Sequence, residues 1–221
     1  MMKFSHWLQA LEAFWLGEPQ VCPVCQQRSR VEGLPGCESC VAGIPLGWHA
    51  IADTPYPCFC LSPYSGRMKE LIADIKYHGA VETAFFCGAL LGIAAKQAPA
   101  LVGTKALIPL PLHPERESAR GFNQSRLLAD GIHEWWRPAV WDVMVRLKKT
   151  ESQSELSLRQ RRSNVRGAFA LRQGNVVRGR RIVLIDDILT TGATFAEAAG
   201  VIAAHGGYPQ GLFLASGRVH R

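Results

Sequence analysis

The chain predicts an α/β fold, a doubly wound parallel sheet with helices on both faces. Three observations carry that expectation. Short apolar runs alternate with segments of helical periodicity along most of its 221 residues, the pattern of strands joined through helical crossovers. The run IVLI at 182–185 is uninterrupted, as in a strand buried on both faces. A loop of small and hydroxyl residues then leads into a helical pattern over 195–205, and ligands of such sheets bind beyond the carboxyl ends of the strands.

Taken in order, Phe4, Trp7, Leu8, Leu11, Phe14 and Trp15 recur at helical spacing and predict an amphipathic helix within residues 1–18. Its polar face offers an anionic bilayer only Lys3 and His6, so packing on protein is the stronger expectation. Ser5, His6, Gln9 and Glu12 interrupt the apolar run and no small-residue cleavage site follows, unlike a signal peptide. No stretch of about 18 apolar residues occurs, which argues against a membrane span. A cytoplasmic protein is expected.

The seven cysteines sort by spacing. Cys22 with Cys25 and Cys37 with Cys40 form two C-x-x-C pairs separated by eleven residues. Four thiolates on a short hairpin suit tetrahedral Zn2+. Disulfides are the competing reading, but the count is odd and no secretion signal is seen. Residues 19–45 are therefore expected to be a zinc ribbon, structural because protein fills every ligand position. Cys58, Cys60 and Cys87 have apolar neighbours and belong in a core.

A Pro/Gly-rich connection opens the remaining segment, 46–221, which should carry the sheet. Strands are expected near 58–61, 105–110, 139–145, 168–171 and 212–215, beside the one ending at 185. Met68, Leu71, Ile72 and Ile75 predict a helix over 67–77; residues 82–97, apolar almost all round, predict a buried one, and a third spans 123–136. Charge is concentrated. Residues 146–181 hold eleven Lys/Arg against Glu151 and Glu155, a local +9 in a chain of net +7. Such a stretch suits polyanions, whether pyrophosphate or single-stranded nucleic acid; a solvated loop is the plain alternative. Its only aromatic is Phe169, so a base-stacking platform is not evident.

The apolar run at 182–185 ends at two adjacent carboxylates, Asp186 and Asp187, followed shortly by Thr190, Thr191, Gly192, Ala193 and Thr194. Free backbone N–H groups where this loop opens a helix can hold a phosphate. Gly192 lets the backbone approach closely, and the carboxylates can accept hydrogen bonds from vicinal hydroxyls. A sugar 5-phosphate meets both requirements.

This segment resembles the thirteen-residue signature of type I phosphoribosyltransferases, which bind phosphoribosyl pyrophosphate (PRPP). Further segments extend the likeness: 64–67 through 76–79, the PLPLH run at 109–113 with Arg116 and RGFNQS at 120–125, and Thr150, Gln153, Leu156, Arg161, Arg162, Asn164 and Phe169 in order. With the cysteine pairs in front, the chain resembles the ComF family of phosphoribosyltransferase-like proteins, associated with DNA uptake. The resemblance implies a type I phosphoribosyltransferase-like sheet and a PRPP site using Mg2+. Asp186 and Asp187 would hold the ribose hydroxyls and 190–194 the 5-phosphate. Arg116 and Arg120, on a loop at 111–120, would grip pyrophosphate, although Glu115 and Glu117 weaken that assignment. The 148–164 loop, with Lys149, would be the catalytic loop that closes over substrate. Phosphoribosyl transfer to an unidentified acceptor is the leaning. The other implication is a non-catalytic competence protein that binds single-stranded DNA and a helicase-type partner. Lys76, Tyr77 and His113 are further pocket candidates, with helix-end packing or structural hydrogen bonding as the ordinary alternative.

Overall fold

The computed structural model describes residues 21–29, 31–148 and 165–219. The helix expected in 1–18, Lys149 and most of the basic loop lie outside the described residues. Among the described residues eight strands occur: His49–Ala50 (β1), Cys58–Pro63 (β2), Thr104–Pro109 (β3), Ala139–Val140 (β4), Met144–Arg146 (β5), Phe169–Leu171 (β6), Arg181–Leu189 (β7) and Tyr208–Ser216 (β8). The helices are Glu38–Ala42 (α1), Gly66–Tyr77 (α2), Val81–Lys96 (α3), Pro114–Arg120 (α4), Gln124–Trp136 (α5) and Ala193–Ala204 (α6). Among the described residues no helix is long and apolar enough to cross a membrane.

Six strands form one α/β sheet in the order β1-β2-β8-β7-β3-β4. All neighbours are parallel except the edge pair β1–β2. Side chains alternate across the sheet, as the pleat requires. Phe59, Leu61, Leu107, Val183, Ile185, Leu212 and Leu214 pack with α2, α3 and α5 on one face. Cys58, Cys60, Ala106, Ile108, Ile182, Leu184 and Phe213 pack on the other with α6, Met144 and Phe169. Burial pushes the thiols of Cys58, Cys60 and Cys87 up to about 12, about 11 and about 12, so these cysteines stay protonated core residues.

As its all-round apolarity predicts, α3 is buried over most of its length. Against α5 it packs backbone to backbone: a Cβ on Gly131 would lie 2.6 Å from the Phe85 carbonyl oxygen, and one on Gly92 2.8 Å from that of Ile132. The first cysteine pair and α1 join the same layer through Val24, Cys40 and Val41.

Three expectations need correction. The strand at 139–145 is two: β4 pairs with β3, but the chain then leaves the sheet edge through exposed Asp142, and β5 pairs antiparallel with β6 in a separate ladder. The 148–164 stretch therefore lies between the two strands of that ladder, β5 and β6. The β7 strand does not stop at Ile185 but continues to Leu189, because β8 offers pairing partners as far as Ser216. Residues 114–120 form a helix, with Pro114 at its first position and left-handed Gly121 (φ 88°) at its end. The parallel sheet that the sequence predicts is present, with one short antiparallel strand, β1, added at its edge.

Candidate functional site

The crevice arises where chain direction reverses across the sheet. From β3 the chain passes through α5 on one face to β4; from β7 it passes through α6 on the other face to β8. Neighbouring loops therefore diverge between β3 and β7, the place where doubly wound sheets bind ligands. The β3–β7 pairing ends at Pro109 opposite Ile185, while β7 stays paired with β8 for several residues more. Asp186 and Asp187 thus emerge just past the end of β3. They border a cavity of about 300 Å3 lined also by Lys76, Tyr77, Arg116, Arg120, Gln124, Arg146, Thr190, Gly192, Ala193 and Thr194.

The two acids are held differently. Asp186 Oδ1 accepts from the Ser125 hydroxyl at 2.8 Å and from the Asp187 backbone N–H at 3.0 Å. Asp187, almost fully buried, has Oδ2 2.9 Å from the Lys76 ammonium. That oxygen is closed to solvent and takes no hydrogen bond of good geometry, so the ion pair is its compensation. Burial, then the adjacent Asp187 charge, push Asp186 up to about 6; Ser125, Lys76 and the Asp187 N–H offset this only in part. Its remaining exposure opens onto the cavity. Burial opposes the charge on Lys76, but Asp187, then Asp186 and Tyr64, outweigh it and raise its pKa.

Arg116 and Arg120 stand four residues apart on α4, on one side of that helix, and both line the cavity. Glu115 and Glu117 are absent from the lining and sit in the first turn of α4, where the helix dipole favours acids. His113 is a cap: its Nδ1 accepts from the Glu115 N–H. Arg146, at the end of β5, lines the cavity as well; burial and neighbouring Arg116 lower its pKa, with Asp186 opposing.

The RGFNQS run is the brace between these walls. Arg120 donates to Gln124 Oε1 at 2.6 Å. Asn123 caps α5 by accepting from the Ser125 N–H and donates to the Leu110 carbonyl, tying the loop after β3 to the helix. Ser125 holds Asp186. Across the site, Gly192 (φ 78°) caps α6 in a conformation that favours glycine. Thr191 Oγ1 accepts from the Ala193 N–H, and Arg218 donates to the Thr190 and Thr191 carbonyls. These contacts lock the loop from behind.

The structure thus brings together Asp186, Asp187, Arg116, Arg120 and the 190–194 loop, with Lys76 and Tyr77 beside them. Lys149 lies outside the described residues. Arg146, Ser125 and Arg218 escaped sequence reasoning as contributors. Ser125 and Arg146 lay within segments already singled out, but Arg218, two residues beyond the last strand, carries no local signal.

Away from the crevice, the sulfurs of Cys22, Cys25, Cys37 and Cys40 lie within 4.8 Å of one another, with Cys25 and Cys37 3.9 Å apart. Zinc–sulfur bonds of about 2.3 Å in a tetrahedron put sulfurs about 3.8 Å apart, so the cluster can hold a structural metal such as zinc with slight contraction. Burial opposes a Cys22 thiolate, but N–H groups of Cys37, Cys25 and Val24 bring its pKa down to about 6. Burial and the neighbouring thiols push Cys40 up to about 12.

Known proteins are similar in sequence to this chain over about half to most of its length. DNA utilization protein YhgH of Escherichia coli O157:H7 is 31% identical over 204 residues, covering 86% of this chain and 87% of its own. Competence protein F of Haemophilus influenzae is 36% identical over 110 residues, 49% of this chain and 48% of its own. Competence protein ComFC of Bacillus subtilis is 32% identical over 145 residues, 65% and 56% respectively. The chain belongs to the ComF family. No protein-family model matches it. In this ComF protein the four-cysteine cluster and the carboxyl-end crevice are parts of one α/β architecture.

Two outcomes follow. With its folded pKa raised to about 6 from 3.8, protonated Asp186 contributes stability that is present below the unfolded pKa and lost as pH rises through about 6. Asp186→Asn should therefore stabilise the protein near pH 7.5, by up to about 2–3 kcal/mol, and hardly at all near pH 4; thermal unfolding at both pH values checks this. The purified chain should carry one metal equivalent by elemental analysis. Cys22→Ser with Cys37→Ser should remove it and lower the melting temperature.

Proposed function

We propose that this ComF protein binds PRPP with Mg2+ in the crevice between β3 and β7. The observation that carries the reading is the make-up of one cavity, which a carboxylate pair, an anion-ready loop and three arginines line together. The topological switch point and the resemblance of 181–194 to the phosphoribosyltransferase signature support it as well.

The N-terminal end of α6, the cavity-lining Thr190 and Thr194, and the close backbone at Gly192 suit the 5-phosphate. Asp186 and Asp187 accept from the ribose 2- and 3-hydroxyls. Arg116, Arg120 and Arg146 face the pyrophosphate and stabilise its charge as it departs. Mg2+ bound with the ligand would add further neutralisation of the pyrophosphate charge. With an acceptor, the nucleophile's lone pair forms a bond to C1 while the C1–O bond breaks and its electron pair leaves with pyrophosphate. The acids then orient the sugar and take no proton from it. Catalysis rests on positioning and electrostatics, for which the bracing by Asn123, Ser125 and Arg218 is suited.

Calorimetric titration of PRPP and Mg2+ into the metal-loaded protein should give micromolar binding, weakened at least tenfold by Asp186→Asn with Asp187→Asn. A folded protein that takes up no PRPP overturns the reading.

A second reading, handling of single-stranded DNA, draws on the relatives' names, DNA utilization and competence protein, and on the local +9 charge. Phe169 is buried with the Arg146 guanidinium 5.4 Å from its ring centre, so it presents no face to a base. Binding would then be electrostatic, with a strong salt dependence. Fluorescence anisotropy should show low-salt binding of a labelled oligonucleotide that weakens when Arg159, Arg161 and Arg162 become Glu; absence of low-salt binding overturns it.

A further inference from the structure

The only aromatic of the basic stretch, Phe169, is buried, but the fold sets two tyrosines at the end of that stretch. Strands β2, β8, β7 and β3 run parallel, so the connections that enter them open at one rim of the sheet, opposite the crevice. Along this rim, in sheet order, stand Tyr56 shortly before β2, Tyr208 at the start of β8, Arg181 at the start of β7 and Lys105 near the start of β3. With strands about 4.8 Å apart, the row runs for roughly 14 Å.

Tyr56, Tyr208, Arg181 and Gln210 line a cavity of about 690 Å3 here, within the roughly 300–1,000 Å3 of ligand pockets. Tyr208 is 64% exposed and pairs in register with Arg181. Tyr56 meets Phe195 edge-on, ring centres 6.4 Å apart, which fixes its place in the wall. Gln210 and Arg181 donate to the carbonyls of Ala100 and Val102, each at 3.0 Å, and so tie the loop before β3 to the cavity. A guanidinium has five N–H donors, so Arg181 keeps others for a ligand.

Charge at this rim is nearly of one sign. The connections at 51–57, 97–103, 172–180 and 205–207 contain one acid, Asp53, against Arg172, Arg178 and Arg180. Lys105 and Arg181 add two cations, and all five are exposed. An open aromatic face beside a cationic track suits single-stranded nucleic acid, whose bases stack on the ring while the backbone follows the charge. A double helix keeps its bases inside and gains from the charge alone.

Resting on the single-stranded DNA reading above, we propose that this amino-end rim is the base-stacking part of that interface. Tyr208, with Tyr56 in the same cavity, takes a base of single-stranded DNA, and Lys105, Arg178 and Arg181 take its phosphates.

Fluorescence anisotropy of a labelled oligothymidylate with the metal-loaded full chain tests this. Tyr208→Ala should weaken binding about tenfold and leave its salt dependence unchanged, while Tyr208→Phe, which keeps the ring, should stay within about twofold of the parent. Lys105→Gln with Arg178→Gln should flatten the slope of log affinity against log salt by about 1.4, at about 0.7 per phosphate contact. A labelled duplex should not respond to Tyr208→Ala; an equal loss on duplex overturns the proposal, as does a folded Tyr208→Ala that binds oligothymidylate like the parent. If Tyr208→Ala fails to fold, an unchanged salt slope in the Lys105→Gln, Arg178→Gln protein overturns it instead. Binding that falls when Arg159, Arg161 and Arg162 become Glu but ignores both rim variants sinks this inference and leaves the single-stranded DNA reading standing. A folded parent that binds no oligonucleotide at low salt sinks both.

Discussion

The site depends on the unequal lengths of β3 and β7. Their pairing ends at Pro109 and Ile185, and β8 alone supports β7 from there to Leu189. Two carboxylates are thereby held in extended backbone at the floor of a crevice rather than on a loop. Strand pairing limits their freedom, while loss of the neighbouring strand leaves room for a ligand. The same departure sends the chain after β3 into α4, whose Arg116 and Arg120 line the cavity together with the acids.

Holding two acids side by side in partial burial is electrostatically costly, and the structure distributes the compensation over three elements. Lys76 comes from α2, Ser125 from α5 and the Asp187 N–H from β7 itself. Compensation is incomplete at Asp186, whose pKa stays raised to about 6. Strain of this kind is expected where a site is built to receive hydrogen-bond donors from outside.

The close crossing of α3 and α5 serves the same end. Glycines let the two backbones touch, and α5 thereby presents Asn123, Gln124 and Ser125 at its start, each tied to a different wall of the crevice. On the far side of α3 the cysteine-bearing segment packs through Val24, Cys40 and Val41. A metal at the four sulfurs would stiffen a segment already joined to the main core.

Local patterns in the chain determined a good deal. Strand–helix alternation carried the α/β class because burial on both faces demands continuous apolar runs, and the buried helix at α3 followed from its all-round apolarity. Cysteine spacing pointed to the four-thiol cluster because two C-x-x-C turns bring sulfurs together over short chain distances. The tertiary structure alone decided where β7 ends, since that depends on pairing with β8, and where the chain leaves β4, since an edge strand lasts only as long as its neighbour. It also joined Lys76 to Asp187 and Ser125 to Asp186, pairs that are 111 and 61 residues apart. Arg218 reached the loop at 190–191 in the same way. Contacts between distant residues leave no periodicity or spacing in a single chain; they appear only when the sheet brings its carboxyl ends to one place.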